Sequence, residues 1–134
     1  MKKTALLMVL FVALGTLVSK AQNKFSSWPA LGEFHKVMSE TFHPSEKGDL
    51  KPVKERSAEL AEKAAKLNSS MIPSEFNKPA VKKAVKLLAA ESLDLDKLIR
   101  KKGTDEQIKK SLVALHDRFH EIVGLCKDEG HEKH

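Results

Sequence analysis

Ile108, Leu112, Leu115, Phe119, Ile122 and Cys126 follow one another at intervals of four and three. Side chains at that spacing line one stripe of an α-helix, and a stripe this long must be buried against other helices. Three more stretches carry the same signal. Trp28, Leu31, His35, Met38 and Phe42 form one seam. Leu50, Val53, Ser57, Leu60, Ala64 and Leu67 form a second, and Val81, Val85, Leu88, Ser92, Leu95 and Ile99 a third. No stretch alternates as a strand does. The pattern predicts an all-α protein, an up-down-up-down antiparallel four-helix bundle.

The punctuation between the seams supports this reading. Pro29, Pro52 and Pro79 stand where first turns are expected, and proline costs a helix nothing there. Ser27, Asp49 and Asn77 precede them as N-cap candidates. Pro44 is expected to stop the first helix near His43, because the residue before proline is pushed out of the helical region. Gly103 is expected to end the third helix at its C′ position. Thr104 and Gln107 have the spacing of a capping box. The expected helices cover about 27–43, 50–68, 78–102 and 104–127. The seam of the second helix is rich in alanine and serine. It implies either close packing or room for something bulky, and close packing is the simpler reading. Met71, Ile72 and Phe76 in the connector are expected to tuck under the bundle.

The chain opens with Lys2 and Lys3, then an apolar run of 14 residues from Ala5 to Val18, then Ser19-Lys20-Ala21. This is the layout of a secretory signal peptide with cleavage after Ala21, and it points to a periplasmic or secreted protein. The run is shorter than the roughly 20 apolar residues of a membrane span, so no stable membrane insertion is expected after cleavage. Residues 22–127 would then form the bundle and 128–134 a polar tail. Without Lys2, Lys3 and Lys20 the 24 basic residues fall to 21 against 18 acidic ones. That small excess is spread over mixed helix faces, which argues against a nucleic-acid partner. A protein partner or a homodimer is left open. The one cysteine, Cys126, has no internal disulfide partner. Its seam position reads as a small buried hydrophobe, with metal ligation or pairing between chains as alternatives.

Function is written mainly in the histidines, at positions 35, 43, 116, 120, 131 and 134. His116 and His120 are four residues apart, so both imidazoles lie on one helix face. In the expected topology the first and last helices are antiparallel neighbours. At about 1.5 Å per residue, His35 and His120 come to the same height, and Met38 falls level with His116. His35, Met38, His116 and His120 are therefore expected to converge on a transition metal. Imidazole suits copper or zinc, and a thioether shifts the preference towards copper. Asp117 and Glu121 are candidates for hydrogen bonds to the outer imidazole nitrogens. Cys126 is a further candidate ligand. His43 reads as a residue favoured by the negative end of its helix.

His116-Asp-Arg-Phe-His120 has the spacing of the H-E-x-x-H zinc-protease signature, with aspartate for glutamate. The shorter carboxylate and the absence of any strand argue against that chemistry. No Ser/His/Asp set and no phosphate loop is present, and no enzyme is expected. A bundle with a seam methionine on the first helix and a histidine on the last resembles the periplasmic cytochrome b562 and cytochrome c′ group. That resemblance implies haem b held between Met38 and His116 or His120, and electron transfer as the function. The C-x-x-C-H attachment motif is missing, so covalent haem is not implied. Three readings follow: a copper- or zinc-binding bundle, a b-type haem protein, and a cofactor-free binding or chaperone-like bundle.

Overall fold

The computed structural model describes residues 23–127. The expected signal peptide and the tail, with His131 and His134, lie outside them. A single turn, α1 (Asn23–Ser26), leads into α2 (Pro29–Glu46). Then come α3 (Lys51–Ser69), a 3₁₀ turn (Ser74–Phe76), α4 (Pro79–Arg100) and α5 (Asp105–Lys127). No strand occurs among the described residues. The four long helices form the expected bundle. Its antiparallel order is read from contacts across it. Glu33 near the start of α2 meets Lys63 near the end of α3 at 3.2 Å. Ser57 Oγ donates to Asp96 on α4 at 2.7 Å. Lys78, capping the start of α4, donates through Nζ to the Leu125 carbonyl near the end of α5 at 3.2 Å. No described helix is long and apolar enough to cross a membrane.

The seams read from the sequence line one core. Trp28, Leu31, Met38, Phe42, Val53, Leu60, Leu67, Leu88, Leu95 and the α5 run from Ile108 to Ile122 are all buried. Phe34 and Val37 are buried as well, so the apolar face of α2 is wider than a single seam. The Trp28 indole N–H donates to Ser70 Oγ at 3.0 Å, and its ring stacks on Phe76 at 6.1 Å. Ile72 and Phe76 pack against the core, whereas Met71 is 88% exposed. Met71 thus does not tuck under the bundle as expected.

The helix starts fall one residue later than expected: the N-cap residues of α2, α3 and α4 are Trp28, Leu50 and Lys78, not Ser27, Asp49 and Asn77, and none caps through its side chain, although Asp49 Oδ1 still accepts from the Lys51 amide at 3.1 Å. Two other helix ends also depart from expectation. Pro44 lies inside α2, which runs on to Glu46. The missing proline N–H leaves one carbonyl of the preceding turn without its helical donor. The chain nonetheless closes a last turn, with the amides of Lys47 and Asp49 both donating to the Pro44 carbonyl at 3.0 Å. At the end of α4 the left-handed residue is Lys102, at φ 61°, one position before Gly103. The Gly103 amide donates to Leu98 O at 2.9 Å and the Lys102 amide to Ile99 O at 3.0 Å. These are the paired bonds of a Schellman motif. A Cβ on Gly103 would lie 2.5 Å from Leu98 Cδ1, so any larger residue there would make the Leu98 side chain shift. The capping box follows, with Thr104 N–H donating to Gln107 Oε1 at 2.9 Å and Gln107 N–H to Thr104 Oγ1 at 3.1 Å.

Packing around the bundle is uneven. α3 makes extensive contact with both α2 and α4, and α4 with α5. α2 and α5 close the ring more loosely. The alanine- and serine-rich face of α3 is closely packed, and the loose side of the bundle is the one that carries the histidines.

Candidate metal centre

Rings fill the α2–α5 interface. Phe34 and Phe119 meet with centroids 5.8 Å apart. His35 stacks between Phe25, at 5.0 Å, and Phe119, at 5.2 Å. About two turns further along α2, Phe42 lies flat on His116, with centroids 3.7 Å apart and an interplanar angle of 3°. Flat rings reach from the core to the rim, so each imidazole has an apolar body against the bundle and an edge that meets water.

The spacing of four residues on α5 brings the two expected ligands together. Nε2 of His116 and Nε2 of His120 are 3.2 Å apart, the rings nearly perpendicular at 79°. A hydrogen bond across this gap requires one Nε2 to carry a proton and the other to accept it, with the tautomers setting the direction. Burial against Phe42 holds His116 below the ordinary imidazole pKa, and the neighbouring His120 lowers it further. Asp117 and Glu46 act in the opposite direction, and His43 adds a smaller lowering.

His35 is placed differently. Its ring is the middle layer of the Phe25–Phe119 stack, and its Nε2 lies 3.3 Å from Ser39 Oγ, one turn along α2. Met38 is 1% exposed and belongs to the core. Among the described residues no three His, Cys, Asp or Glu side chains are gathered as a metal-binding group. The four-residue convergence expected from helix heights is thus not assembled in this arrangement. Equal height sets a residue's level but not the direction of its ring, and Phe119, in contact with both His35 and His120, takes the space between them. Cys126 is half-buried at the far end of α5, beside a small cavity lined by Phe25, Leu31, Phe76 and Val123.

The two carboxylates proposed as supports also have other partners or positions. Glu121 accepts from Arg118 Nη1 at 2.7 Å, and the same guanidinium grips both carboxylate oxygens of Glu91 on α4, at 3.0 and 2.8 Å. This fork ties α5 to α4, and the two carboxylates push the Arg118 pKa still higher. Asp117 is exposed and touches the pair only through its charge. Sequence reasoning passed over a second polar pair. His43 Nδ1 and Glu46 Oε1, three residues apart in the last turn of α2, stand 3.6 Å from each other. The i,i+3 spacing was the available signal.

No family model matches this chain, and neither a curated protein nor a solved structure matches it.

Proposed function

We propose that the protein is a periplasmic or secreted binder of a transition metal, copper or zinc, held at His116 and His120. The observation that carries this reading is the 3.2 Å separation of the two Nε2 atoms. Two imidazoles about 2.05 Å from a tetrahedral ion stand about 3.3 Å apart. The pair therefore needs little rearrangement when an ion replaces the shared proton. The lowered pKa of His116 helps, because protons compete less with the metal near neutral pH. The exposed edge of His120 leaves a path for the ion to enter.

Elemental analysis and an absorption spectrum of the purified protein test the reading. About one copper or zinc per chain, with binding weakened at least tenfold in His116→Ala at unchanged helix content, supports it. Unchanged affinity and stoichiometry in that variant would remove it. An intense Soret band would favour the haem b alternative instead, with Met38 as the axial partner. The burial of Met38 in the core makes that ligand set the harder one to build.

A further inference from the structure

We propose that the last turn of α2 supplies the other half of this site: His43, through Nδ1, and the Glu46 carboxylate join Nε2 of His116 and His120 around one divalent ion. The inference rests on the reading of the histidine pair as metal ligands, and it deepens that reading by assigning the remaining ligands and the class of ion.

The geometry supplies two pairs, each with nearly the span of a tetrahedral edge. The His116–His120 edge on α5 measures 3.2 Å and the His43–Glu46 edge on α2 measures 3.6 Å. Ligands sharing a tetrahedral ion are separated by about 3.3 Å, so each pair already has nearly the right span. Phe42 touches one residue of each edge. Its ring is stacked on His116 at 3.7 Å and meets His43 edge-on at 5.9 Å. His43 and Glu46 are close enough for their charges to act on His116. The edges are not yet joined, but His43 and Glu46 are 66% and 54% exposed, so turning them inwards moves no core side chain and gives up only the edge contact of His43 with Phe42. A cation there also sits at the negative end of the α2 helix.

The ligand set decides the ion. Three imidazoles and a carboxylate favour Zn²⁺ or Cu²⁺ over Cu⁺, which wants sulfur. Among the described residues the soft donors are elsewhere: Met38 in the core, Met71 exposed in the connector after α3, and Cys126 beside its own cavity. An ion bound in this way clasps α2 to α5 across the loosest side of the bundle, so binding should also stabilise the fold.

The test is calorimetric titration of the purified protein with Zn²⁺, in a background carrying His131→Ala and His134→Ala so that the tail histidines do not compete. The inference expects a single zinc per chain. It expects His43→Ala/Glu46→Ala to weaken binding at least tenfold, and His35→Ala to leave it unchanged. Saturating zinc should raise the Tm of the parent and leave that of the double variant nearly where it was. If the double variant binds as the parent does while His116→Ala has lost affinity, the α2 half is overturned and the histidine pair stands. If His116→Ala also binds normally, the reading beneath it falls as well. If zinc drives the protein to a dimer in sedimentation, the missing corners come from a second copy, and the inference is overturned.

Discussion

Between α3 and α4 the buried side chains include small ones, and between α2 and α5 they are rings. α3 buries Ser57 and Ala64, and α4 buries Ala84 and Ser92, so these two helices approach closely along their length. The polar atoms between them are mostly spoken for. Ser57 donates to Asp96, and the other Asp96 oxygen meets Arg100 at 2.8 Å. On the opposite side Phe34, Phe42, Phe119, His35 and His116 hold α2 and α5 further apart. Small residues give an interface that is tight and chemically closed. Rings give one that is looser, with nitrogen edges at the surface.

The contrast makes its largest prediction at Phe119. That ring touches Phe25, Phe34, His35 and His120, so it is the keystone of the ring-filled side. Phe119→Ala should cost about 3–5 kcal/mol in urea denaturation. A cost under about 1 kcal/mol would mean that the α2–α5 side closes up easily and is not a supported seam. On the tight side the sensitive change runs the other way. Ala64 is completely buried, and Ala64→Leu should destabilise by about 1–3 kcal/mol through overpacking. A neutral result would show that α3 has slack, and the comparison would fail there.

Ser92 sharpens the same point with a smaller effect of opposite sign. Its Oγ is the one buried side-chain polar atom without a hydrogen-bond partner among the described residues. Burying a hydroxyl unbonded is costly. Ser92→Ala keeps the close approach of the helices and removes that cost, so it should stabilise by up to about 1 kcal/mol. A loss of stability would mean that the hydroxyl has a partner, such as a trapped water.

The two sides were not equally readable in the sequence. The α5 seam was legible because every third or fourth residue from Ile108 to Ile122 is large and apolar. The Thr104–Gln107 box was legible because it is closed within four residues. Pro44 misled, since the rule against helix before proline is a local preference, and the rest of α2 was packed well enough to carry one more turn. Lys102 misled because Gly103 looked like the left-handed residue, when the positive φ falls one position earlier. For the candidate site, i,i+4 spacing was enough to place His116 beside His120. The fate of His35 was not, since it depends on Phe25 and Phe119, rings brought from 10 residues before it and from another helix. The His43–Glu46 pair gained meaning only when Phe42 fixed which way α2 faces α5.

The smallest predicted effect is the dependence of stability on pH on the ring-filled side. Burial against Phe42, aided by His120, lowers the pKa of His116 in the folded protein below the ordinary 6.5. The charged and titratable groups around it are His120, Asp117, Glu46 and His43, and the two carboxylates only partly offset the lowering. Above pH 6.5 the imidazole is neutral in both the folded and the unfolded chain, and its contribution is complete. As pH falls below 6.5 the unfolded chain takes up the proton first, so stability declines until the folded pKa is passed. The slope should be visible in urea midpoints measured in the presence of a chelator, and it should flatten in His116→Phe relative to the parent. An unchanged slope in that variant would assign the titration to other groups. It would also mean that the Phe42 face does not desolvate His116, which removes one support for the proposed metal binding.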